Sequence, residues 1–434
     1  MDLALSPARN LSGALRPPGD KSISHRCALL AALAEGSSKL SHYATGTDCQ
    51  STLACLAALG VPVEHIESEV AAITGVGLRG LRAPDAPLNA GNSGTTLRML
   101  SGILAAQSFA TEISGDASLC NRPMRRVLDP LRLMGAAAIA ASGGRPPLRF
   151  AASAGLHGLD YTLQVASAQV KSALLLAGLY AQGMTRIVEP RATRDHTEVL
   201  LRHMGAPLEQ TARPRAASLR GPVERLAPLG EFRVPGDPSS AAFFLCAAAA
   251  MPGADLLVDE VSLNPTRSAL LDVLRRLGAR PEVVSIEDRA GELVGSLHLD
   301  GPVGLTGTRI AGEEAVALID EIPILAVLAT RTRDGIEFAD VGELRVKESD
   351  RLAAIAHNLR AMGAECEERP DALLVPGGQK LHGAELPSHG DHRIAMAFSV
   401  AALLAVGDSL VQDADCASIS YPEFYATLER LAER

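Results

Sequence analysis

The chain has 434 residues, 47% of them hydrophobic, with a formal net charge of -9 at pH 7. That length exceeds one ordinary core and calls for two or three domains. The acidic balance, with five Tyr, eight Phe and no Trp, argues against a nucleic-acid binder, which would be basic and would stack bases on aromatic rings.

The first ten residues, MDLALSPARN, lack the charged-then-apolar layout of a signal peptide. No uncharged apolar run is long enough to span a membrane. Seven cysteines, an odd number with no C-x-x-C pair, fit free thiols in a reducing compartment and no zinc cluster. A soluble cytoplasmic protein is expected, with no nucleic-acid or membrane partner.

Along the chain one unit recurs: an apolar helix rich in Ala and Leu, a strand, then a second helix ending at a Gly-Ala or similar pair. The first helices are predicted in ALLAALAEGSSKL, MLSGILAAQSFATEI, ALLLAGLYAQGMTRIV, AAFFLCAAAAMPGADLLV, PILAVLATRTRDGIEF and AMAFSVAALLAVGDSLV. The second helices end at Gly60, Gly135, Gly205, Gly278 and Gly363, and the last closes the chain in LERLAER. Each terminal glycine reads as a C-cap. Six copies account for nearly the whole chain. RPPGDKS at Arg16 resembles RVPGDPS at Arg233, an offset of 217 residues or half the length. The pattern predicts an α/β protein of two pseudo-equivalent domains, three units each. The boundaries are 19–234 for the first domain, and 1–18 with 235–434 for the second.

The starts of the six first helices read GDKSISHR, NAGNSGTTLR, VASAQVKS, PGDPSSAA, ALIDEIPI and SHGDHRIA. Helix N-termini already carry partial positive charge and favour anions. Here cations gather instead: Lys21, Arg26, Arg98, Arg122 and Lys171 in the first half, Lys347, Arg351 and Arg393 in the second. Asp320, Glu321 and Asp391 add carboxylates able to move protons. Such a site suits small, multiply anionic ligands. The plainer readings are surface charges for the cations, N-caps for Asp320 and Asp391, and structural roles for His25 and His392. Cys120, in SLCNRPM, has no histidine near it in sequence to make it a nucleophile. There is no Walker A loop, no G-x-S-x-G, no G-x-G-x-x-G after a first strand and no H-E-x-x-H.

PGDKSISHR, GNSGTTLR, NRPM, SAQVKSALLLA, RVKESDR and GDHRIAMAFS, in that order, resemble the 5-enolpyruvylshikimate-3-phosphate synthase (3-phosphoshikimate 1-carboxyvinyltransferase) family. The resemblance runs from Pro17 to Pro422, and Ser-Ala-Gln marks the form often called class II. It implies three βαβαββ units per domain, the inside-out α/β barrel of the enolpyruvyl transferase fold. Residues 1 to about 18 would complete the second domain, and the active site would lie in the cleft between domains. It also implies transfer of the enolpyruvyl group of phosphoenolpyruvate to the 5-hydroxyl of shikimate 3-phosphate, with release of phosphate. No metal or organic cofactor is required, and a monomer is expected.

The resemblance assigns shikimate 3-phosphate to Lys21, Ser22, Arg26, Ser167, Gln169, Asp320 and Lys347. It assigns phosphoenolpyruvate to Lys21, Gly94, Arg122, Gln169, Arg351 and Arg393. Asp320 is the implied base for the hydroxyl, and Glu348 the acid and base at carbon, with Lys21 sharing that work. Three departures stand out. Ile419 falls where some members carry a C-terminal lysine, which leaves Lys171 as a candidate substitute. Met99 replaces a frequent Pro. The 191–198 segment, RATRDHTE, has no assigned residue. UDP-N-acetylglucosamine enolpyruvyl transferases share the fold and donor. That family has Asn after the lysine where this chain has Ser22, and its loop cysteine or aspartate aligns with Ala117, leaving Cys120 out of register.

Overall fold

The six apolar runs form helices α1 (Lys21–Leu33), α2 (Gly94–Leu104), α3 (Ala168–Gly178), α4 (Pro238–Ala250), α5 (Ile322–Ala329) and α6 (His392–Leu404). A helix apolar on every side must lie inside, and every residue of α4 from Ser239 to Ala250 is buried. The structure, a computed structural model, describes residues 1–67 and 69–434. The second helix of each unit follows at Thr47–Ala58, Arg125–Leu133, His196–His203, Ala269–Leu277, Arg351–Ala361 and Phe424–Leu431. Gly60, Gly135, Gly205, Gly278 and Gly363 close five of these with φ between 83° and 104°, a conformation that only glycine takes without strain.

Among the described residues the strands make six open sheets of three to five strands. No closed barrel forms among the described residues. The third unit shows the pattern plainly. Asp160–Thr162 runs parallel to Gly183–Val188, which is antiparallel to Arg215–Gly221, which is antiparallel to Leu208–Ala212. In sequence order this is βαβαββ. The first unit takes its first strand from Gly230–Arg233, parallel to Glu35–Ser41. The N-terminal strands serve the other half of the chain: Asn10–Leu15 is parallel to Asp255–Ser262, and Leu3–Leu5 is antiparallel to Ser409–Gln412.

The chain divides into two compact units. One holds residues 1–18, 235–288 and 293–434; the other holds 19–234 and 289–292. Each has its own hydrophobic core, built on α1–α3 in one and α4–α6 in the other. Among the described residues no helix is long and apolar enough to cross a membrane.

Packing between α2 and α3 depends on a missing side chain. A Cβ on Gly102 would lie 2.0 Å from the Ala173 carbonyl oxygen, which is backbone and cannot swing away. Gly102→Ala must therefore spread two buried helices. Overpacking of this kind costs about 1–3 kcal/mol. Urea unfolding should show the midpoint falling with an unchanged slope.

Candidate active site

In the unit holding residues 19–234, three helix starts carry the sequence-predicted residues. Asp20 caps α1 by accepting from the Ile23 N–H at 2.8 Å. That leaves Lys21 at the first helical position, where the helix dipole opposes a cation. The Asp48 carboxylate offsets this, 2.5 Å from the Lys21 ammonium. Ser22 is held at both ends: its carbonyl accepts from Arg26 at 2.8 Å, and its hydroxyl from Arg194 at 2.9 Å. Arg26 itself is buried, donating to Thr197 at 2.7 Å and Ser172 at 3.0 Å. Burial is the main reason its pKa falls, to about 10.

Ser93 caps α2 through the Thr96 N–H at 3.1 Å, placing Gly94 at the helix start. A Cβ there would lie 2.7 Å from one Arg98 nitrogen and 3.4 Å from one of Arg122, so both guanidinium groups crowd this backbone. Arg122 donates to Asn92 at 2.7 Å, and Asn92 donates to Asp116 at 2.7 Å. Gln169, at the start of α3, accepts from Arg98 at 2.6 Å and donates to Thr95 at 2.8 Å. Ser167 caps α3 by accepting from the Val170 N–H at 3.4 Å, and its own O–H remains a donor. Lys171 is no substitute for a C-terminal lysine: its side chain is 1% exposed, between Glu189 and Glu198.

The other unit gathers Asp320, Lys347, Glu348, Arg351 and Arg393 around one guanidinium. Arg351, whose side chain is 1% exposed, donates from Nε to Asp391 at 2.8 Å. From its terminal nitrogens it reaches Asp320 at 3.2 Å and Glu348 at 2.5 Å. Burial would lower its pKa, but Asp391, Glu348 and Asp320 outweigh that and raise it. Lys347 lies 3.8 Å from Asp320, and there burial wins and lowers the lysine pKa against the pull of that carboxylate. One Arg393 nitrogen lies 3.7 Å from the Asp320 carboxylate, and another donates to the Asp320 carbonyl at 3.1 Å.

The N-cap reading separates the two aspartates. Asp391 caps α6 through the Arg393 N–H at 2.9 Å while also pairing with Arg351. Asp320 is not the N-cap of α5: that position is Glu321, with no side-chain capping bond. Glu321 is not a spare carboxylate either. It is buried, accepts from the Ser239 hydroxyl and lies 4.0 Å from Arg267, so it ties the starts of α4 and α5 together. Arg98 is one of the cations expected from the sequence, whereas Asn92 and Arg194 lie in the motifs GNSGTTLR and RATRDHTE without a role that the sequence alone assigns. Asp48, in TGTDCQS, carried no motif signal.

The fold is shared with the enolpyruvyl transferase NikO of Streptomyces tendae, at a TM-score of 0.78 and 18% identity over 99% of this chain and 96% of that one. A solved EPSP synthase structure from Acinetobacter baumannii matches at a TM-score of 0.88 and 38% identity, covering 99% and 98% of the two chains. The EPSP synthase (3-phosphoshikimate 1-carboxyvinyltransferase) family model matches residues 5–428. Proteins named 3-phosphoshikimate 1-carboxyvinyltransferase from Koribacter versatilis and Solibacter usitatus are 52% and 51% identical. They cover 99% of each chain and 100% of each chain, respectively. The chain belongs to the EPSP synthase family.

Gly94 yields a direct test. Gly94→Ala pushes only against the movable ends of Arg98 and Arg122, so the fold should hold. The phosphoenolpyruvate contact expected at Gly94 from the family resemblance should not. The KM for phosphoenolpyruvate should rise by about tenfold or more, since a misplaced charged hydrogen bond forfeits 1.5–3 kcal/mol, while the melting temperature stays within a few degrees. Steady-state kinetics and thermal melts check both.

Proposed function

We propose that the residues of both clusters serve the reaction of the family. The chain transfers the enolpyruvyl group of phosphoenolpyruvate to the 5-hydroxyl of shikimate 3-phosphate and releases phosphate, a step of the shikimate pathway. The observation that carries the division of labour is the Arg351 guanidinium, which holds both Asp320 and Glu348. Two groups able to transfer protons thereby sit on one fixed cation.

In this reading Asp320 accepts the 5-hydroxyl proton as that oxygen attacks C2 of the enolpyruvyl group. Glu348 delivers a proton to the methylene carbon, giving a tetrahedral intermediate, and takes it back as phosphate leaves. Lys21 shares the work at carbon. Lys21, Ser22, Arg26, Ser167, Gln169, Asp320 and Lys347 hold shikimate 3-phosphate. Lys21, Gly94, Arg122, Gln169, Arg351 and Arg393 hold phosphoenolpyruvate. Arg351 does so by exchanging one carboxylate contact for the substrate. Bidentate guanidinium contacts suit both phosphate and carboxylate, and their charge stabilises the departing phosphate. The protein works as a cytoplasmic monomer.

Phosphate release measured with each acceptor tests the function. Shikimate 3-phosphate should support turnover and UDP-N-acetylglucosamine should not; the reverse result would reassign the acceptor. Asp320→Asn tests the base. Asparagine cannot take the hydroxyl proton, so turnover should fall about 10²–10⁴-fold. Arg351 keeps Asp391 and Glu348, so the melting temperature should move by only a few degrees. Near-normal turnover in the folded variant would remove Asp320 from the chemistry.

A further inference from the structure

Lys171 sits within α3 with its ammonium 2.6 Å from Glu198 and 3.0 Å from Glu189. All three side chains are buried. Burial alone would lower the lysine pKa, yet the two carboxylates outweigh it and raise it. A buried ammonium so paired is held in place, and removing one partner would leave an uncompensated charge. Its position has consequences at both ends of the 189–198 segment.

At one end, the other Glu189 oxygen accepts from the Thr193 hydroxyl. The next residue, Arg194, donates to the Ser22 hydroxyl at 2.9 Å. At the other end, Thr197 precedes Glu198, accepts from Arg26 at 2.7 Å and shares a hydrogen bond with Ser172 at 2.7 Å. Ser172 is the neighbour of Lys171 in α3, and Arg26 returns to the Ser22 carbonyl at 2.8 Å. Both routes start at the Lys171 carboxylates and finish at Ser22.

We propose that Lys171, through Glu189 and Thr193, is a positioning residue for the shikimate 3-phosphate side of the site. It fixes the 189–198 segment so that Arg194 sets the direction of the Ser22 hydroxyl. The proposal rests on the functional reading above, in which Ser22 touches shikimate 3-phosphate. It gives the lysine a structural hold on one substrate rather than contact with either.

The test is calorimetric titration of shikimate 3-phosphate into the full chain, alongside the KM for phosphoenolpyruvate. Thr193→Val removes only the hydroxyl that Glu189 accepts from. Affinity for shikimate 3-phosphate should fall about tenfold while the KM for phosphoenolpyruvate changes by less than about twofold, as loss of one charge-assisted hydrogen bond on one route predicts. Thr193→Ser should restore affinity to within about twofold of the parent, because the same bond re-forms. The pair Lys171→Met with Glu198→Gln, which keeps the net charge but takes the cation from Glu189, should reproduce the Thr193→Val split if the protein remains folded by circular dichroism. A Thr193→Val protein that binds like the parent, or that loses both substrates equally, overturns the positioning role. Failure of the parent to bind shikimate 3-phosphate overturns instead the functional reading beneath it.

Discussion

The pairing of cations with carboxylates at helix starts is the constraint on which the sites depend. Lys21 and Arg351 occupy first helical positions, and Arg393 the second. The exposed N–H groups there already carry partial positive charge. Such an arrangement holds only if anions are supplied. Internal carboxylates supply them: Asp48 for Lys21, three acids for Arg351, Asp320 for Arg393. In the second cluster Asp320, Glu348 and Asp391 balance Lys347, Arg351 and Arg393 charge for charge. In the proposed reaction a substrate phosphate or carboxylate would enter by taking over part of that role, and a carboxylate released from a cation becomes a better base. On that proposal, anion binding and proton transfer would be coupled through the same guanidinium groups.

Much of this was legible in the sequence. The six apolar runs open as buried helices because Ala, Leu and other apolar residues dominate them, and five of the second helices end at glycine because the turn demands positive φ. The order of PGDKS, GNSGT, SAQVK, RVKESDR and GDHR placed the cations at helix starts. What was not legible depends on contacts far apart in the chain. Nothing near Asp48 marks it as the partner of Lys21. Asp320 looked like an N-cap because it precedes Pro323, yet Glu321 takes that position in the chain. Glu321 reads in sequence as one more carboxylate able to move protons, but the fold brings the Ser239 hydroxyl to it.

Lys171 shows the same limit from the other side. Read along the sequence, it is one more cation near a helix start, available to replace the lysine that Ile419 displaces. Packing of α3 against the 189–198 segment surrounds it with two glutamates instead. Its charge is consumed within its own unit, and its influence reaches a substrate only through neighbours. The same residue type at the same helix end therefore serves either as a ligand contact or as scaffold, according to whether buried acids face it.

The most direct measurement follows hydrogen at the methylene carbon of phosphoenolpyruvate. In D₂O with shikimate 3-phosphate present, reversible protonation at that carbon should wash deuterium into the methylene group, visible by proton NMR. If Glu348, held by Arg351, moves that proton, then folded Glu348→Gln should exchange about 10²–10⁴-fold more slowly while still binding both substrates. Exchange at the parent rate in that variant would contradict the assignment and show that another group protonates the carbon.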